Sequence, residues 1–124
     1  MNKTVQFIDD DHKRRFAKYA ERFGIDKVTH DRQYKLLAYT LAAFQEESHK
    51  AQDYASRDGF DWTAMFNGQD FSSGNMRFMQ AAQELFGWEA VDGFNLSNVP
   101  ALQSEYFTVV IDAMMIARGA EIEQ

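Results

Sequence analysis

The stretch EYFTVVIDAMMIARG, residues 105–119, decides the fold class. Its FTVVI portion is rich in β-branched and aromatic residues, the composition of a strand. The polar residues point the other way. Glu105, Thr108 and Asp112 recur at intervals of three and four, which traces one narrow line along a helix and not the alternation of a half-buried strand. From 106 to 117 the other positions are apolar almost all round. Such a helix buries most of its circumference, either at the centre of a bundle or in a subunit interface. The second possibility makes a homodimer through this last helix one expectation. Pro100, which closes the preceding connection VDGFNLSNVP, suits the first turn of the helix.

Three further segments carry the helical period. Residues 73–87 follow a cap at Ser72 or Ser73, end at Gly87, and place Phe78, Ala82, Leu85 and Phe86 inward. Residues 31–57 align Tyr34, Leu37, Leu41, Phe44, Ser48, Ala51 and Ala55 on one stripe. As a single helix this segment would be about 40 Å long. The small residues in its later half mark either a close approach of another element or a break. Residues 10–23 put His12, Phe16, Tyr19 and Phe23 on one face, and Gly24 then serves as a left-handed C-cap. SRDGFDW and FNGQDFSSGN read as loops around a short helical turn, WTAMF. No segment shows convincing strand alternation. The expected architecture is all-α: one domain over residues 1–124, a bundle of four main helices plus a short helical turn.

Composition fits that architecture. Of 124 residues, 45% are hydrophobic and 26% charged, with 11 Phe, 5 Tyr and 2 Trp to fill a core. No run approaches the roughly 20 apolar residues that cross a bilayer, and the polar start MNKTVQ does not suit a signal peptide. The absence of cysteine excludes disulfides, thiol catalysis and Cys-ligated zinc, and suits a cytoplasmic location. The net charge of −6 conceals an asymmetry. Residues 1–35 hold nine Lys/Arg against six Asp/Glu, whereas residues 36–124 hold four against thirteen. An acidic body repels nucleic acid and attracts basic proteins that themselves bind nucleic acid.

Candidate chemistry is sparse. FIDDDHKRRF, residues 7–16, crowds carboxylates, a histidine and basic residues together, yet each has a structural role at a helix start. Asp9, Asp10 and Asp11 suit free N–H groups and the positive end of the dipole, and Phe7 suits a hydrophobic staple. His12, one turn before Phe16, is expected to pack at the core edge, where a phenylalanine would be tolerated. Lys13, Arg14, Lys18, Arg22, Lys27, Arg32 and Lys35 could form a basic stripe, partly neutralised by Asp11, Glu21, Asp26 and Asp31, but a pI near 4.9 argues against nucleic-acid binding as the main task. Glu46 and His49 in FQEESHK form Glu-x-x-His, the spacing by which a helix offers a carboxylate and an imidazole to one metal. The nearest second copy is Asp9-x-x-His12, with Glu84 and Glu105 as further carboxylates; the alternative is a solvated face with a Glu46–Lys50 ion pair. His30 beside Asp31 reads as a neighbour of a helix cap. Nucleotide-binding glycine loops and nucleophile elbows are missing, so no enzyme activity and no cofactor are expected.

FIDDDHKRRF, YKLLAYTLA, DFSSGNMRFMQAAQELFGW and, more loosely, EYFTVVIDAMMIARG resemble an uncharacterised family of small helical proteins. That family is carried by phages, plasmids and other mobile elements of Gram-positive gut bacteria. The resemblance implies an accessory protein of a mobile element, a context in which small acidic helical proteins inhibit host defence enzymes. It transfers no active-site residue. Combined with the charge asymmetry, it leads to the expectation of a non-enzymatic protein-binding module, an anti-CRISPR-like counter-defence inhibitor that occupies a basic nucleic-acid site on a host nuclease. The expected contact is the acidic set Glu46, Glu47, Asp53, Asp58, Asp61 and Asp70, interrupted only by Lys50 and Arg57. The competing readings are a metal-binding helical protein or metal-dependent enzyme centred on Glu46 and His49, and a structural homo-oligomeric module.

Overall fold

The computed structural model describes residues 4–123. Its elements run β1 (Thr4–Gln6), α1 (Asp10–Phe23), α2 (Ile25–His30), α3 (Arg32–Ala42), α4 (Gln45–Ala51), a 3-10 turn (Gln52–Tyr54), β2 (Ala55–Ser56), β3 (Gly59–Phe60), α5 (Trp62–Gly68), α6 (Ser73–Gly87), a second 3-10 turn (Leu96–Asn98), α7 (Ser104–Ala117) and β4 (Glu121–Glu123). The protein is predominantly helical, as the periodicity requires. It departs from an all-α bundle of four helices in two ways: seven helices are present among the described residues, and two short two-stranded ladders accompany them.

The helix at the centre is α3, where every residue from Leu36 to Ala42 is buried. α1, α2, α6 and α7 all pack against it, and one contiguous hydrophobic core joins them. α7 is less enclosed than its composition suggests. Val109, Val110, Ala113 and Ile116 are buried, but Phe107 and Ile111 remain 36% and 37% exposed. Pro100 lies in the turn before α7 and not in its first helical turn, which begins at Ser104.

The segment 31–57 is not one helix. α3 stops at Ala42, Phe44 is extended (φ −126°, ψ 140°), and α4 begins at Gln45. The break is stabilised from outside the segment. Arg15 of α1 donates to the carbonyls of Ala42 (2.7 Å) and Ala43 (3.1 Å), and His12 Nε2 meets the Tyr39 carbonyl at 2.8 Å. These bonds supply partners for carbonyls that a continuing helix would satisfy internally. The half-buried Phe44 ring packs on the core at Phe78 and on Tyr106, with centroids 5.5 and 4.6 Å away.

FIDDDHKRRF is a helix start, with one addition. Asp9 caps α1 by accepting the His12 amide at 2.8 Å, and Phe7 packs on Phe16 at 5.2 Å. His12 is fully buried, and its Nδ1 accepts the Ile8 amide at 3.0 Å while Nε2–H donates to Tyr39. It therefore fastens three segments together. The expectation that phenylalanine would replace it freely is corrected: a phenyl ring matches the packing and neither hydrogen bond.

The ladders explain the missed strands. β1 and β4 pair in parallel, Thr4 with Glu121, Val5 with Ile122 and Gln6 with Glu123. Three-residue strands have too few positions to show a period, and their partners lie at opposite ends of the sequence. β2 and β3 form a two-residue antiparallel pair through a turn that Gly59 (φ 130°) makes possible. α6 matches its expected bounds and takes Ser72 as N-cap, but the left-handed residue at its end is Trp88 (φ 55°), beyond Gly87.

Candidate interaction surface

The acidic set expected from the sequence divides. Glu46, Asp53, Asp58, Asp61 and Asp70 are exposed; Glu47 is not. Glu47 is 1% exposed and accepts the Tyr106 hydroxyl at 2.8 Å. Burial, and then the Glu47 hydrogen bond and charge, push the Tyr106 phenol well above the usual range. Glu47 is removed from the contact surface for a geometric reason. α4 buries Ser48 and Ala51, the positions on the expected stripe, and Glu47, three residues after Phe44 and four before Ala51, lies on the same side, while Glu46 and His49 face outward.

The exposed carboxylates come from consecutive elements around one edge. Glu46 on α4 meets Lys50 at 3.2 Å, and Lys50 also donates to the Asp70 backbone carbonyl and lies 5.1 Å from the Phe71 ring centroid. Lys50 therefore ties the two ends of the acidic stretch together. Asp58 and Asp61 border a hollow of about 350 Å³ at the β2–β3 hairpin, with Tyr54 and Phe60 as its aromatic sides. Asp61 also caps α5, accepting the Ala64 amide at 3.1 Å.

A cationic wall adjoins this edge. Arg15, Lys18 and Arg22 of α1 face Gln45, His49 and Gln52 across a groove of about 610 Å³. Tyr19 lies at its base, donating to the Ser48 carbonyl at 2.8 Å, and burial raises its phenol to about 12. Much of the basic stripe read from the sequence has structural partners. Arg14 pairs with Asp11, Lys27 donates to the Arg57 carbonyl, and Lys35 lies 3.7 Å from Glu121, while Arg15, outside that stripe, holds the end of α3.

The Glu-x-x-His pair gathers no third donor. Glu46 faces Lys50, and His49 Nδ1 lies 3.4 Å from Gln52 Nε2. Among the described residues no group of three or more His, Asp or Glu side chains is arranged to hold a metal ion. Asp9 and His12 are used as cap and buried hydrogen-bonding group. His30 contacts the Asp26 carbonyl within α2 at 3.0 Å. Glu105 is exposed on α7, and Asp112, half-buried, receives the Tyr39 hydroxyl at 2.9 Å. That hydroxyl also lies 2.7 Å from the Gln6 carbonyl, so it links α3 to β1 and α7 at one point. Burial raises the Asp112 carboxyl above its ordinary value, with the Tyr39 bond opposing.

No protein-family model matches the chain, and no curated protein or solved structure matches it significantly. No helix among the described residues is long and apolar enough to cross a membrane.

Proposed function

We propose that the chain is a non-enzymatic protein-binding module that engages a basic partner through Glu46, Asp53, Asp58, Asp61 and Asp70. One observation carries the reading: these five carboxylates are exposed along a single stretch against two basic residues, Arg57, which is exposed, and Lys50, which pairs with Glu46 and is turned onto the Asp70 carbonyl and the Phe71 ring, so the stretch keeps an acidic excess. A surface of one sign raises the rate and selectivity of association with the opposite sign. In its fullest form the reading is an anti-CRISPR-like counter-defence inhibitor in the cytoplasm, blocking the nucleic-acid site of a host nuclease. The mobile-element resemblance and the cysteine-free composition support that form.

The test is capture from a bacterial lysate, with a variant carrying Glu46→Lys, Asp53→Lys and Asp58→Lys as the control. Basic proteins should be retained by the parent, released as salt rises, and displaced by DNA or RNA. The variant, which changes exposed side chains only, should keep its thermal midpoint and lose at least about tenfold in affinity, or roughly 1.4 kcal/mol. Equal retention by the variant would show that another surface makes the contact.

Phe107 and Ile111 favour a second reading, a homodimer through α7. Two side chains exposed by about a third fall far short of the roughly 800 Å² per partner of a stable interface. Light scattering at micromolar concentration is therefore expected to give a mass near 14.3 kDa; twice that mass would establish the dimer.

A further inference from the structure

Beside the hairpin, α5, α6 and the turn after Gly87 line an open groove of about 660 Å³. That volume lies within the range of ligand-binding clefts. Its sides are aromatic: Trp62 and Phe66 from α5 and Phe86 from α6. Trp62 and Phe66 are nearly parallel, with centroids 6.2 Å apart and planes at 25°. Phe60 abuts the Trp62 ring edge-on at 4.5 Å, and Tyr34 abuts Phe86 at 5.2 Å, so the outer rings have braced positions. The rim is acidic. Glu89 and Asp92 line it, Gln83 adds an amide, and no lysine or arginine is among the lining residues. Arg77 approaches from the side, where it is taken up by Gln80 Oε1 at 3.1 Å and by the Gly93 carbonyl.

An aromatic cleft with a carboxylate rim is complementary to a cation on an apolar stem. Ring faces attract the charge, carboxylates accept its N–H groups, and a planar guanidinium can stack where an ammonium cannot. We propose that this groove receives an arginine side chain presented by the basic partner. The inference rests on the basic-partner reading, and it assigns the anchor: Asp61 caps the helix that Trp62 begins, so the acidic edge leads directly to the groove. The carboxylates bring the partner in, and the groove holds one residue of it.

The test uses the intact protein and an arginine-rich nonapeptide, with a citrulline twin that keeps the planar shape but lacks the charge and carries a carbonyl acceptor in place of one NH2 donor group. Binding is followed by the NMR signals of the two tryptophan indole N–H groups, assigned with Trp88→Phe. The Trp62 signal should move saturably with the arginine peptide and at least fivefold more weakly with the citrulline peptide. Trp62→Leu should weaken binding at least fivefold; Glu89→Gln with Asp92→Asn, which leaves the aromatic packing untouched, should weaken it at least threefold. Equal movement with both peptides would overturn the proposal, as would an unmoved Trp62 signal. The variant with three lysines on the acidic edge separates the two readings. If it abolishes binding while Trp62 never moves, the edge alone makes the contact and the groove assignment fails. If the Trp62 shift survives unchanged, the groove assignment stands and the acidic-edge reading fails.

Discussion

His12→Phe is expected to destabilise the protein by about 3 kcal/mol, because two backbone groups lose their partner while the core keeps its volume. The imidazole is fully buried, bonded to the Ile8 amide at 3.0 Å and to the Tyr39 carbonyl at 2.8 Å. It also contacts the Phe7 and Tyr39 rings, with centroids 5.0 and 4.6 Å away, contacts that a phenyl group reproduces. The difference therefore isolates the hydrogen bonds. For a chain of this length the loss corresponds to a fall on the order of 10 °C in thermal midpoint. An unchanged midpoint would show that neither bond contributes.

The same residue gives stability a pH dependence. Burial holds the His12 imidazole below its ordinary value of 6.5, with the Tyr39 hydrogen bond opposing in part. The unfolded chain thus takes up this proton at higher pH than the folded chain does. Stability from His12 is complete above about pH 6.5 and is lost as pH falls from there through the depressed folded value. Protonation also removes the lone pair that accepts the Ile8 amide. Compared with His12→Gln, which cannot titrate, the parent's advantage should shrink between about pH 8 and about pH 5. Asp112 runs in the opposite direction, since its raised value favours the protonated folded state, but it is common to both proteins and cancels in the comparison.

Glu47→Lys is expected to cost about 4 kcal/mol or more, a large part of the total stability of a domain this size. It places an ammonium in a closed site where the Tyr106 hydroxyl now finds a carboxylate oxygen at 2.8 Å. Glu47→Gln keeps a carbonyl oxygen for that hydroxyl and should cost about 1 kcal/mol. Glu46→Lys, one residue earlier and exposed, should be within about 0.5 kcal/mol of the parent. Chemical denaturation of the three variants reads out the burial of each position directly. Comparable stability for Glu46→Lys and Glu47→Lys would place Glu47 at the surface after all.

Local pattern was enough to define α1 and α6. Their bounds follow from caps within the segment, Asp9 and Ser72, and from apolar residues that recur every three or four positions. It was likewise enough to read 106–117 as helical, since a single polar line is a property of the segment alone. The acidic excess after residue 35 was also visible without coordinates, because charge is counted and not folded.

The small residues late in the segment 31–57 left a break open as one of two readings, but its position at Phe44 could not be read that way. Its cause is a set of bonds from His12 and Arg15, some thirty residues upstream, to carbonyls at the end of α3. Ser48, Ala51 and Ala55 are buried as the stripe required, and the place of Glu47 three residues after Phe44 and four before Ala51 was a signal passed over because a carboxylate was read as solvent-facing. The β1–β4 pair depends on the two ends of the chain meeting. The aromatic groove depends on residues of α5, α6 and the turn after Gly87 coming together, though the Trp62–Phe66 spacing of one helical turn was a signal available beforehand. Periodicity acts within a few residues, so it sufficed for the long helices α1, α6 and α7, but not for the six-residue α2, too short to show a period. Which charges reach solvent is set by the orientation each helix takes against partners distant in the chain, and that was left to the folded arrangement.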